Sequence, residues 1–195
     1  NTTGQIRAVD SIDRAVGVDK VAITIIRRVA DPGDTHRGLV DTLMVDKVPN
    51  HQCLDLMLIM PHIDATGFLV HTPVTHGHII NLVLTPKKDF SCEDVIEEFE
   101  KHPRIRVVSM DDGFNSNTAF FRYARDLGRP RGDMYEIGMW KECIGMSKKD
   151  IMFAIHIPQE SVVIPETVDG IRAVMEMQTG RLDAVAMTNR YLGMS

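Results

Sequence analysis

The 195-residue sequence contains no apolar run approaching the ~18 residues needed to span a bilayer. Its amino end is polar, without the basic segment leading into an apolar one that marks an export signal. Cysteine is scarce: Cys53, Cys92 and Cys143 are odd in number and lack CxxC spacing, which argues against a disulfide framework and a cysteine metal knuckle. Positive charge is not in excess. The formal charge of −5 gives no reason to expect nucleic acid or an anionic membrane as partner. No Gly-rich fingerprint follows a strand, so no Rossmann unit is legible. These absences describe a reduced, cytoplasmic protein. The length suits one domain with a real core, and the 44% hydrophobic and 25% charged fractions are ordinary for a globular fold. Residue 1 is Asn and a helix begins almost at once, so the domain is expected to belong to a longer chain.

Periodicity supplies the elements. Ile6, Val9, Ile12 and Val16, closed by Gly17, predict an amphipathic helix. Residues 20–29 are β-branched and apolar up to Arg27, a buried strand delivering Arg27 and Arg28 to its end. Asp31-Pro32-Gly33-Asp34 is turn chemistry. Residues 39–62, with Pro49 and Pro61, read as a long irregular loop with short strands. Strands are expected at 66–72 and 78–85, flanking Thr75-His76-Gly77-His78, and at 104–109, with three more near 133–139, 141–146 and 151–158. Helices are expected from Ser91 as N-cap to His102, over 117–127, from Pro165, and from Arg181 to Leu192. Successive strands joined by short turns argue for an α+β fold: a largely antiparallel mixed sheet with helices packed on one face.

Among chemistry-bearing residues, the Arg27–Arg28 pair would place a guanidinium fork at a sheet edge, fit for phosphate, or would lie as a solvated pair. His71, His76 and His78 form an H-x4-H-x-H cluster. It reads as zinc ligands lacking a fitting carboxylate or cysteine set, or as histidines bonded at a strand end. Asn1, Thr2 and Thr3 cap a helix in the simplest reading. Cys92 opens a helix beside Glu93 and Asp94, which disfavour a thiolate, and all three cysteines read as structural.

Several segments in order carry a family likeness: Asn1-Thr2-Thr3-Gly4, Arg27-Arg28-Val29-Ala30-Asp31-Pro32, His76-Gly77-His78 and Leu127-Gly128-Arg129-Pro130-Arg131-Gly132-Asp133. Gln159-Glu160-Ser161, Pro165-Glu166, Val168-Asp169-Gly170-Ile171-Arg172-Ala173 and Thr188-Asn189 continue it. Together they cover essentially the whole chain, which resembles the catalytic domain of the archaeal-type (type II) glyceraldehyde-3-phosphate dehydrogenases.

The resemblance implies a nucleophilic cysteine immediately before Asn1 and a cofactor domain for NAD or NADP upstream. It implies a substrate domain over residues 1–180, with residues 181–195 packing back on the cofactor domain, and a homotetramer. The implied reaction takes a phosphorylated aldehyde and inorganic phosphate to an acyl phosphate through a cysteine thioester, and a chain beginning at Asn1 would be inactive alone. A cysteine before Asn1 would meet the unpaired amides and dipole of a helix start, which favour thiolate. By resemblance His76 is the catalytic base, with His78 on the same side orienting it. Thr2, Thr3, Arg27, Arg28, His51 and Gln159 bind substrate or phosphate, Asn189 contacts the nicotinamide, and no metal is involved. Gln159 and Asn189 could equally cap elements, and Arg129 and Arg131 are expected to be structural or interfacial.

The sequence departs from the family pattern at three loops. Asn50-His51-Gln52-Cys53 stands for Ser-His-His-Gly, Pro158 for a His before Gln-Glu-Ser, and His71-Thr72-Pro73 for Pro-Thr-Thr. These departures leave three alternatives open: a paralogue acting on another phosphorylated aldehyde, a non-catalytic binding or oligomerisation module of the same fold, and a metal hydrolase.

Overall fold

The computed structural model describes residues 1–28, 43–177 and 180–194. The Asp31–Asp34 turn, Val29 at the end of the first expected strand and residues 39–42 of the expected loop lie outside the described residues.

One seven-stranded sheet organises the chain, in the order β2-β3-β1-β4-β7-β6-β5. Its strands are β1 (Val18–Arg28), β2 (Met44–Val45), β3 (Asp64–Thr72), β4 (His78–Pro86), β5 (Ile105–Val108), β6 (Ile137–Ser147) and β7 (Asp150–Ile157). β1 with β3 and β5 with β6 run parallel. The other four neighbouring pairs are antiparallel. The expected α+β class, with a largely antiparallel mixed sheet, is what the chain adopts.

Two strand expectations are corrected. Residues 133–139 and 141–146 do not form separate strands. β6 runs through both, and the break lies in its pairing with β7, whose register shifts between Met139 and Ile144. A bulge absorbs the irregularity that the sequence offers as a turn. The loop expected over 39–62 contains the helix α2 (His51–Ile59), capped by the Asn50 side chain accepting from the Cys53 N–H at 3.1 Å. Its apolar residues surround the helix, leaving Leu54, Leu58 and Ile59 exposed, so no stripe announces it.

The other helices are α1 (Thr2–Val16), α3 (Cys92–Lys101), α4 (Asn117–Asp126), α5 (Ile164–Val174) and α6 (Arg181–Tyr191). Ser91 caps α3 in a capping box with Asp94, as its sequence signals. Helices α1, α2 and α3 cover one sheet face. Ala8, Val9 and Ile12 of α1, Leu56 of α2 and Phe99 of α3 join Ile23, Ile25, Ile80, Leu82 and Phe153 in the main core. Gly4 admits this approach, since a Cβ there would lie 2.2 Å from Ile157 Cδ1. On the reverse face α4 seats Phe120 against Trp140 and over Gly138, making a second, smaller core with Val108 and Ala124.

Buried ion pairs tie the last two helices down. Arg7 of α1 grips Glu166 with two guanidinium nitrogens at 2.8 and 2.6 Å and also donates to the Tyr135 and Val162 carbonyls. Arg104 bridges Glu166, Asp169 and Asn189. Arg129 pairs with Glu136 at 2.6 and 2.7 Å and donates to the Gly193 carbonyl, so it is structural. The apolar side of α5 and α6 nevertheless faces outward, with Val174, Met175, Leu182 and Tyr191 exposed.

Candidate functional site

The end of β1 and the start of β4 carry their polar residues to the amino end of α1. On β4 the core-facing positions are Ile80, Leu82 and Leu84. His78 is in phase with them and is buried on the α1 side. Its Nδ1 accepts from the Arg28 N–H at 3.0 Å, and its Nε2 donates to Gln159 Oε1 at 2.8 Å. Burial first lowers its pKa to about 3. The Gln159 bond opposes this, while the positive amino terminus, Arg27 and Arg28 reinforce it.

The amino end of α1 shares these surroundings. The Asn1 amine is lowered to about 6, by burial first and then by Arg27, with Asp55 opposing. Arg27 therefore acts electrostatically on both the helix start and the imidazole. Thr2 Oγ1 donates to Asp55 Oδ2 at 2.8 Å, and Gln5 Nε2 donates to the Gln52 carbonyl at 2.6 Å, joining the first turns of α1 and α2. The buried oxygens Asn1 Oδ1, Gln5 Oε1 and Gln52 Oε1 receive no hydrogen bond among the described residues. The site thus combines a helix start and cations, which favour an anion, with unmet acceptors, which favour a hydroxylated ligand.

The structure separates two histidines that the extended reading placed on one side. Gly77, at φ 62°, turns the chain between them. His76 leaves the α1 side and rests against Phe121 of α4, ring centroids 4.8 Å apart, with Nδ1 2.8 Å from Thr75 Oγ1. Its carbonyl accepts from Asn117 of α4. It lines a cavity of about 10 Å³ with Asp133, His156 and Glu160, room for one water. The expectation that His76 faces the start of α1 and shares a side with His78 is corrected, and the imidazole beside the helix start is that of His78.

The remaining sequence candidates divide likewise. Arg28 is committed to Glu160 at 2.8 Å and to the Thr75 carbonyl at 3.0 Å. Thr3 lies in the first turn of α1 and His51 is exposed at the start of α2. Gln159 joins the site through His78. Asn189 does not, because its Oδ1 accepts from Arg104 Nε at 2.9 Å within the buried network. The sequence reading passed over Asp55, and it treated Gln52 as a lost cation although the residue anchors Gln5. Neither carries a local signal, because the undetected α2 positions both.

Among the described residues no group of three or more His, Cys, Asp or Glu side chains is placed to hold a metal, and no helix is long and apolar enough to cross a membrane. The three cysteines are free thiols. Burial raises the Cys53 pKa to about 11. It also raises that of Cys143, with Glu142 adding to the effect.

Residues 1–142 match the family described as "Glyceraldehyde 3-phosphate dehydrogenase, C-terminal domain". The whole chain is 37% identical to glyceraldehyde-3-phosphate dehydrogenase 2 of Methanosarcina barkeri, covering 57% of that protein. It is 36% identical to the glyceraldehyde-3-phosphate dehydrogenase of Hyperthermus butylicus, again over 57% of the relative. The chain thus spans little more than half the length of the curated relatives it matches. A crystal structure of aspartate semialdehyde dehydrogenase II from Vibrio cholerae shares the fold, at TM-score 0.61 and 12% identity over 83% of this chain and 56% of that one.

Proposed function

Because the chain belongs to the glyceraldehyde-3-phosphate dehydrogenase family, as its C-terminal domain, we propose that it forms the substrate half of a phosphorylating aldehyde dehydrogenase. In this reading the complete protein converts a phosphorylated aldehyde and inorganic phosphate to an acyl phosphate, with NAD or NADP as oxidant. A cysteine immediately before Asn1 carries the acyl group as a thioester, and residues 1–195 alone are inactive. The observation that carries the proposal is the convergence of the α1 start, Arg27 and the His78–Gln159 pair at one end of the sheet.

Each group has a physical task. A thiol placed at the start of α1 would meet the exposed amides of the first turn and the field of Arg27, both of which favour thiolate. Arg27 is the cation for a substrate phosphate or for inorganic phosphate, and Arg28 holds Glu160. Thr2 and Thr3 offer first-turn amides, and Asn1, Gln5 and Gln52 offer carboxamide oxygens to substrate hydroxyls. His78 takes the histidine's place in the chemistry.

The nicotinamide fits these residues poorly, since Asn189, matched to it by resemblance, is 6% exposed and spends its oxygen on Arg104. No step is assigned to the cofactor through this chain. The exposed α5 and α6 surface, including residues 181–195, is the face assigned to a cofactor-binding domain. The open sheet face bearing Ile26, Phe68 and Met152 is assigned to contact with a second copy, in a cytoplasmic homotetramer.

The test is direct. A polypeptide extended upstream through a cysteine and a cofactor domain should reduce NAD or NADP only when given both a phosphorylated aldehyde and phosphate. Full activity with serine or alanine in place of that cysteine would refute the nucleophile.

A further inference from the structure

The two hydrogen bonds of His78 settle which of its nitrogens carries the proton. A backbone amide can only donate, so the lone pair of Nδ1 is committed to the Arg28 N–H. The single proton of a neutral ring then sits on Nε2, and the Gln159 amide must turn its oxygen toward it. Flipping the ring would set carbons against both partners, so the same contacts fix its orientation. Charging the ring would set an Nδ1–H head to head with the Arg28 N–H, close to Arg27 and the positive start of α1. Burial disfavours that charge as well.

We infer that His78 works as a neutral hydrogen-bond donor through Nε2, not as a proton acceptor, and that Gln159 Oε1 holds the place of the anionic atom in the resting site. This rests on the functional reading above. The thiol releases its proton to solvent before reaction. The thiolate sulfur then forms the C–S bond to the aldehyde carbon, and the carbonyl electron pair moves to oxygen. The resulting oxyanion replaces Gln159 Oε1 as acceptor from Nε2–H. No proton changes hands in that step, so it needs no base. Gln159 is a positioning residue that keeps the donor aimed.

Two measurements test this. In the ¹⁵N-labelled chain, long-range ¹H–¹⁵N imidazole correlations should show His78 with a protonated Nε2 and a bare Nδ1 from neutral pH down to about pH 5, well past an ordinary histidine midpoint. The opposite tautomer, or an imidazolium within that range, overturns the inference. In the complete enzyme His78→Gln sets an amide N–H near the Nε2 position. It should keep kcat/KM within about tenfold of the parent, while His78→Ala falls about 10²–10³-fold, the usual effect of deleting one oxyanion donor. Equal collapse of both variants, each folded by circular dichroism, would identify a proton acceptor and overturn the inference. A complete enzyme without activity on phosphorylated aldehydes sinks the functional reading instead, and the tautomer measurement then decides the hydrogen-bond claim alone.

Discussion

The two sides of the sheet use histidine and arginine in opposite ways. On the α1 side His78 is buried, but both ring nitrogens are bonded and its partners, Gln159 and the Arg28 backbone, lie at the edge of the candidate site. On the α4 side His156 is buried by stacking, 4.5 Å from Phe120 and nearly parallel to it, and its Nδ1 has no partner among the described residues. His76 rests on Phe121 beside it. Arg27 lends its field to the α1 side, while Arg28 turns to Glu160. Burial alone therefore does not mark a functional histidine here. The distinguishing feature is a bonded ring next to a cationic helix start.

The comparison can be broken most forcefully on the α4 side. Phe120→Ala removes a fully buried ring that contacts Trp140, Phe114 and His156. It should cost about 3–5 kcal/mol in urea unfolding. A loss below about 1 kcal/mol would show that this second core is not a stability element. Next in size, His78→Ala in the complete enzyme should lower kcat/KM about 10²–10³-fold, whereas His76→Ala should leave it within about threefold. Reversed effects would return the catalytic place to His76.

Acidification sharpens the contrast further. Folded His78 and His156 titrate near about 3 and His102 near about 4, against about 6.5 in an unfolded chain. The unfolded chain takes up these protons first. Stability is therefore full above about pH 6.5 and is lost as pH falls toward the folded values, by up to about 1.4 kcal/mol per pH unit for each histidine. His156→Phe, which keeps the stack, should shallow that slope by one group. An unchanged slope would mean that His156 titrates normally. Smallest is the arginine pair: Arg28→Ala should cost about 1 kcal/mol of stability through its half-open pair with Glu160. Arg27→Ala should instead raise KM for phosphate with little change in melting, and an unaltered KM would remove Arg27 from the site.

Much of the fold was legible because it rests on period and punctuation. The run into Arg27 ended where β1 ends, and Ser91 with Asp94 announced α3. Helix α2 was illegible because Leu54, Leu58 and Ile59 remain exposed, so no apolar stripe sets its phase. The split of 133–146 into two strands mistook a bulge for a turn. At the site, Thr2, Arg27 and Gln159 were legible in the family motifs. The choice between His76 and His78 was not, because it depends on the backbone angle of Gly77. Asp55 and the Gln5–Gln52 contact depend on α2 being a helix at all.

Local order decided the rest of the molecule's plan. Alternating and 3.6-residue patterns determined which segments form strands and helices, and the motif series determined the family, because both are properties of neighbouring residues. Tertiary structure decided which imidazole meets the start of α1, which arginine is spent on a carboxylate, and where the imidazole proton sits. Those outcomes depend on groups some fifty to more than a hundred positions apart, Arg28 with His78 and Glu160, or His78 with Gln159. Only the folded sheet brings them within hydrogen-bond distance.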